Sequence, residues 1–199
     1  MIADRYQGYD VLAQRGHWDD ATRRVVLDRV HNVPPFTHFH GHARETLEAL
    51  CARVIPQDHR PAHKRVPLAP WIDQLCQQQA EGFRFDDMPP NATAWEWGLE
   101  GLDQSSRAMF GDRVFTELDP HEQIELLEEI RHGTPAGEVW QRMPAKRWWE
   151  FTAVRQIAGV YYAHPYAWEE IGFGGPAYPR GYFSLNHGDR EPWEVDEIR

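Results

Sequence analysis

A chain of 199 residues, 41% hydrophobic and 26% charged, is long enough to pack one helical layer on another and too apolar to stay disordered. Its 31 acidic against 21 basic residues give a formal charge of −10, which repels phosphate backbones and anionic lipid and argues against nucleic acid as a partner. No run approaches the ~20 apolar residues that span a bilayer, so direct membrane insertion is not expected.

In chain order, the first helical signal is Asp19 to Val30, which opens on acids and ends before Asn32-Val33-Pro34-Pro35. Its Arg23-Arg24 pair is not followed by an apolar run, because Asp28 and Arg29 interrupt Val25-Val26-Leu27, so no export leader is read here. The expected location is cytoplasmic, or periplasmic if a partner carries the chain out or a leader was trimmed. From His42 to Val54, Leu47, Leu50, Cys51 and Val54 form one stripe at helical spacing, which stops before Pro56. Residues 57–67, with two prolines, read as an exposed loop.

A helix is expected from Pro70 through Gln79, with Trp71, Ile72, Leu75 and Cys76 on one face. Another runs from Thr93 to Phe110 and closes at Gly111. Asp119-Pro120-His121-Glu122 combines an N-cap acceptor, proline at the first helical position and a glutamate three residues after the cap, and predicts a helix to Gly133. Thr134-Pro135 repeats the cap and proline for a short segment ending near Met143. Pro144 to Tyr162 is the most apolar helix, broken at His164-Pro165. From Gly172 onward, glycine and proline forbid regular structure while Phe173, Tyr178, Tyr182 and Phe183 are too apolar for a free tail, so this arm has to lie on a surface. With no strand alternation and no repeat, the fold class is all-α: a compact helical bundle with an extended Gly/Pro/aromatic C-terminal arm.

Nine tryptophans exceed what a core of this size normally uses, and suit either a Trp-rich core or a protein interface. Cys51 and Cys76 fall on apolar helix faces and are expected as buried free thiols, or as one disulfide if the chain is exported. His38, His40 and His42 alternate, so an extended backbone would put three imidazoles on one face, a candidate metal set and the alternative functional reading of a free-standing metal-binding protein or enzyme. Gly41 and the helix start loosen that geometry, and a solvated or interface segment is favoured. Gly172-Phe173-Gly174-Gly175 lacks the preceding strand and following helix that a phosphate loop needs. The doublets Asp86-Asp87, Glu128-Glu129 and Glu169-Glu170 are read as solvated surface, since neighbours on a helix do not face one another. No nucleophile elbow or other catalytic set is present.

Three segments carry a family resemblance. They are Thr46-Leu-Glu-Ala-Leu-Cys-Ala-Arg-Val-Ile-Pro-Gln-Asp58, Gly98-Leu-Glu-Gly-Leu-Asp103 followed by Phe110-Gly111, and Gly159-Val-Tyr-Tyr-Ala-His-Pro-Tyr-Ala-Trp168 leading into Ile171 to Tyr182. Together they resemble the gluconate 2-dehydrogenase subunit 3 family from roughly Thr46 to Tyr182. The resemblance implies a helical, non-catalytic small subunit of an oxidoreductase complex. Its partner would be a large FAD-containing catalytic subunit of the glucose-methanol-choline type, at times joined by a c-type cytochrome, in a dehydrogenase acting on a sugar, sugar acid or glycoside. No cofactor is then expected in this chain, and FAD belongs to the partner. It also implies a division into an N-terminal extension (1–45), a helical subunit domain (46–171) and the arm (172–199). Carried over by motif, the partner contact takes in Tyr161, Tyr162, His164, Pro165, Trp168, Gly172, Phe173, Gly175, Pro176, Tyr178, Pro179, Arg180 and Gly181, part of which instead holds the arm to its own bundle.

Overall fold

Caps, prolines and glycines set the helix borders in the computed structural model, which describes residues 6, 8–183, 191 and 193–195. The start of the expected extension and the arm positions 184–190, 192 and 196–199 lie outside the described residues. Among the described residues the regular structure is helical with no strand, the class expected from periodicity.

The helices are α1 (Asp20–His31), α2 (Gly41–Val54), α3 (Leu68–Gln77), α4 (Asn91–Phe110), α5 (Pro120–His132), α6 (Val139–Arg142), α7 (Ala145–Arg147), α8 (Arg155–Tyr162) and α9 (Pro165–Ile171). Local chemistry accounts for several ends. The Asp19 carboxylate accepts from the Thr22 amide at 2.8 Å and caps α1. At α5 the predicted capping box is present: Asp119 accepts from the His121 and Glu122 amides, Glu122 reaches back to the Asp119 amide at 3.0 Å, and Gly133 closes the helix in the left-handed region.

Four local expectations change. Thr134-Pro135 starts no helix; Gly137, at φ 137, intervenes and α6 is a single turn. The apolar stretch after Pro144 is not a uniform α-helix, because Trp148–Val154 winds as a π-helix between α7 and α8. His164-Pro165 breaks that helix and then starts α9, with His164 at the N-cap and proline just inside. The loop at 57–67 is not wholly exposed: Arg60 and Val66 are buried.

By contacts the chain forms two compact units. One comprises Met1–Val33, Arg60–Val66 and Tyr161–Arg199, and the other Pro34–His59 and Pro67–Val160. The first unit has a small core of Val11, Trp18 and Val26, against which Tyr9, Leu12 and Trp168 pack. The second holds the larger core, with Leu47, Leu50, Ile72, Trp95, Leu102, Leu126, Ile130 and Trp148 fully buried. Burial of these side chains, at ~1.5–3 kcal/mol each, is the main force holding α2, α3, α4 and α5 together.

Two features specify that larger core. Gly98 and Gly101, one turn apart on α4, leave room for two indoles: a Cβ on Gly98 would lie 2.0 Å from Trp148 and one on Gly101 2.4 Å from Trp140. Trp148 stacks edge-on to Trp95 with centroids 6.2 Å apart. The second feature is Asp73 on α3, fully buried, whose carboxylate accepts from the amides of Thr37 (2.8 Å), His38 (3.1 Å) and Phe39 (2.6 Å). That arrangement satisfies the extended backbone ahead of α2, which has no strand to pair with.

Candidate partner-binding site

Within the first unit, α9 is held at both ends and along its side. The neutral His164 ring accepts from the Tyr166 amide through Nδ1 at 3.2 Å, supplying the N-cap. Gly172 ends the helix at φ 67, a conformation that costs an L side chain about 1–2 kcal/mol. The Trp168 indole N–H donates to the Tyr162 carbonyl at 2.7 Å, and its ring meets Phe173 edge-on at 5.4 Å. Tyr162, Trp168 and Phe173 therefore form one tethered group.

Beneath them lies a knot of charge centred on Arg60, 7% exposed. Its guanidinium donates to Glu170, to the Tyr161 hydroxyl at 3.1 Å, and to the carbonyls of Tyr166 (2.9 Å) and Lys64 (3.2 Å). The Tyr161 hydroxyl donates in turn to Glu170, and Lys64 pairs with Glu169 at 2.9 Å. Such a network is worth more as geometry than as net stability, since desolvating the ions offsets most of their attraction. Burial, then the Glu170 carboxylate, raises the Tyr161 hydroxyl well above the ordinary phenol range, so it stays a neutral donor. Burial also raises Glu169 against the pull of Lys64. Burial and the nearby Arg29 and Arg60 charges hold His164 down at about 4, while a hydrogen bond to the Arg29 backbone works the other way. The doublet Glu169-Glu170, read from sequence as solvated, is thus engaged in ion pairs.

Residues 172–180 of the arm lie against Tyr6, Gln14 and Trp18. A Cβ on Gly172 would meet the Tyr6 ring at 2.5 Å, and one on Gly175, at φ 79, the Trp18 ring at 2.7 Å; in both places only glycine lets the backbone approach. Arg180 donates to Gln14 at 3.3 Å and stacks over Trp193 at 4.1 Å. Between 177 and 181 the backbone turns, the Gly181 amide donating to the Ala177 carbonyl at 2.8 Å.

The residues carried over by motif therefore sort by depth. Tyr161, His164, Pro165 and Gly175 are buried within the first unit, and Trp168, Gly172, Pro176 and Arg180 are half-buried. Tyr162, Phe173, Tyr178, Pro179 and Gly181 face solvent, joined by Tyr182 and Phe183. Tyr178 and Phe183 are 65% and 71% exposed, high for aromatic side chains. Sequence reasoning missed Arg60, Lys64 and the seat formed by Tyr6, Val11 and Trp18. A pairing between positions 60 and 170 leaves no periodic trace in the chain.

In the second unit the three alternating histidines have different surroundings. His38 Nε2 lies 3.0 Å from Glu96 and His42 Nε2 lies 2.6 Å from Asp103, which also accepts from the Phe115 amide. His40 is exposed at the α2 N-cap without a side-chain cap bond. Among the described residues no group of three or more His, Cys, Asp or Glu side chains is placed to hold a metal ion. Cys51 and Cys76 are free and buried; burial pushes both thiols up, Cys76 to about 12. Among the described residues, no helix is long and apolar enough to cross a membrane. The Gly172–Gly175 stretch follows α9 and runs into Pro176, so it offers no helix N-terminus to a pyrophosphate.

The arrangement is suited to recognition: a neutral buried donor at Tyr161, committed ion pairs at Arg60 and Lys64, and exposed aromatics at Tyr178, Tyr182 and Phe183. The family model described as gluconate 2-dehydrogenase subunit 3 matches residues 41–175. No curated protein and no solved structure matches the chain.

Proposed function

The chain belongs to the gluconate 2-dehydrogenase subunit 3 family, and from that premise we propose that it is a non-catalytic small subunit that binds, and stabilises or matures, an FAD-containing catalytic subunit. The partner is a flavoprotein of the glucose-methanol-choline type acting on a sugar, sugar acid or glycoside, with a c-type cytochrome as a further member of the complex. FAD and the hydride chemistry reside in the partner, and this chain contributes a surface.

The match over residues 41–175 carries the reading. The arm supports it: Tyr178, Tyr182 and Phe183 stand exposed on a backbone that Gly172, Gly175 and Arg180 fasten to the N-terminal segment. An interface gains most from aromatic anchors, each worth ~1.5–3 kcal/mol when its apolar area is covered, provided that little ordering entropy is lost on binding. A fastened arm meets that condition.

The test is to co-express the chain with a glucose-methanol-choline-type flavoprotein from the same genome and purify through a tag on this chain. Elution of the large subunit with a flavin spectrum supports the reading. A colourless chain that elutes alone, with the flavoprotein soluble and untouched in the flow-through, refutes it.

A further inference from the structure

The second unit contains a pocket that the arm-based contact does not use. The loop after α3 and the π-helical turn Trp148–Val154 line an open hollow of about 270 Å3, near the lower end of the range of ligand-binding clefts, roughly 300–1,000 Å3. Its walls are aromatic in sequence. Phe83 meets Phe85 edge-on at 4.9 Å and Phe85 meets Phe151 at 4.8 Å, so a ladder of rings runs down from Phe83, which is 75% exposed. The π register is itself unusual, and such turns concentrate where a helix serves a purpose beyond packing. Here it carries Phe151, which is 38% exposed and lines the pocket.

Most polar groups of the lining are already engaged. Glu81 accepts from the Asn91 amide at 2.8 Å, and Gln156 bridges Trp95 and the Asn91 side chain. Close by, Arg147 stacks on Phe85 and is paired with Asp87. Two guanidinium groups remain. Arg84 reaches only the Met88 carbonyl, at 3.5 Å, and among the described residues neither Arg84 nor Arg155 has a carboxylate partner. Glu81 also lines the pocket but is turned to the Asn91 amide, so the charged groups of the lining without a carboxylate partner among the described residues are these two guanidinium groups beside the aromatic ladder.

We propose that this pocket is a second docking point, which takes an apolar side chain of the partner subunit flanked by a carboxylate: the apolar group inserts among Phe83, Phe85 and Phe151, and Arg84 and Arg155 hold the carboxylate. The inference rests on the subunit reading above and adds to it a site and the chemistry of its occupant. An Arg–carboxylate contact at the rim of a filled apolar hollow fixes orientation, and the inserted group supplies most of the affinity.

The test uses the full chain and a purified glucose-methanol-choline-type flavoprotein from the same genome, with affinity measured at low and high salt. Phe83→Ser and the double reversal Arg84→Glu/Arg155→Glu alter exposed side chains, and unchanged circular dichroism and melting would show that the fold persists. Each is expected to weaken binding about tenfold or more, and the double reversal should also remove most of the salt dependence, whereas Arg84→Lys/Arg155→Lys retains both. If the wild-type chain binds and both variants bind equally well, the pocket is not a docking point and the subunit reading stands. If the wild-type chain itself does not bind, the proposal falls together with that reading.

Discussion

Replacing Gly98 by alanine should destabilise the larger unit, although alanine is the better helix former. The intrinsic gain is about 1 kcal/mol in favour of alanine at a mid-helix position. Against it stands the Trp148 indole, with Cε2 at 2.0 Å, Nε1 at 2.1 Å and Cζ2 at 2.3 Å from the new methyl. Ordinary carbon contacts lie at ~3.5–4.0 Å, so the ring has to retreat by about 1.5 Å. It has nowhere to go, being fully buried, edge-on to Trp95 and tilted against Trp140 at 5.5 Å. Overpacking of this kind costs ~1–3 kcal/mol or more, and this clash belongs at or beyond the upper end. The net expectation is a loss of about 2 kcal/mol, seen as a fall in Tm of roughly 4–8 °C by circular dichroism. Gly159→Ala is the matched control: that glycine is exposed on α8 with nothing within 4 Å of a Cβ, so alanine there should stabilise by ~0.5–1 kcal/mol. A Gly98→Ala protein that melts at or above wild type, beside a Gly159→Ala control that behaves as expected, would refute the account of how α4 receives the indole.

Asp73→Ala removes the acceptor of three backbone amides, leaving them short of partners, and is expected to cost about 3 kcal/mol or more in urea unfolding, with Asp73→Asn milder because one oxygen remains. Stability should fall on acidification between the ordinary histidine pKa of ~6.5 and the folded value of about 4 for His164, because in that window the unfolded chain binds a proton that the folded ring refuses. The loss reaches at most about 3 kcal/mol, and a charged Nδ1 could no longer accept from Tyr166. His164→Asn, a neutral cap, should flatten that part of the Tm-versus-pH curve. Cys51 and Cys76 should resist a thiol reagent at neutral pH in the native protein and both react once it is unfolded, since each is buried with its thiol pKa raised.

What was legible in the sequence was what local chemistry decides. Asp119-Pro120-His121-Glu122 specifies its own cap, and the stripe Leu47, Leu50, Cys51 specifies its buried face, because both signals act within a few residues. The glycines of the arm were also readable as a segment needing a surface, though not as a seat on Tyr6 and Trp18. The π-helical turn was not legible, since Trp148–Val154 has the apolar spacing of an ordinary helix. Nor was the loop carrying Arg60: its prolines suggest exposure, and only the tertiary fold brings Glu170 and Tyr161 to the guanidinium. That His164 is buried and Tyr178 exposed was not legible either, because both follow from tertiary contacts that leave no local signal.

The central claim is that this chain serves a flavoprotein without performing chemistry itself. The most direct measurement is the turnover of a panel of sugars and sugar acids, with an artificial electron acceptor, by three preparations: this chain alone with added FAD, the flavoprotein produced without it, and the two produced together. The account predicts no turnover from the chain alone, a poorly folded or flavin-depleted large subunit when produced without it, and full activity from the pair. Turnover by the isolated chain, or a flavoprotein that is equally soluble, flavin-loaded and active in its absence, would contradict it.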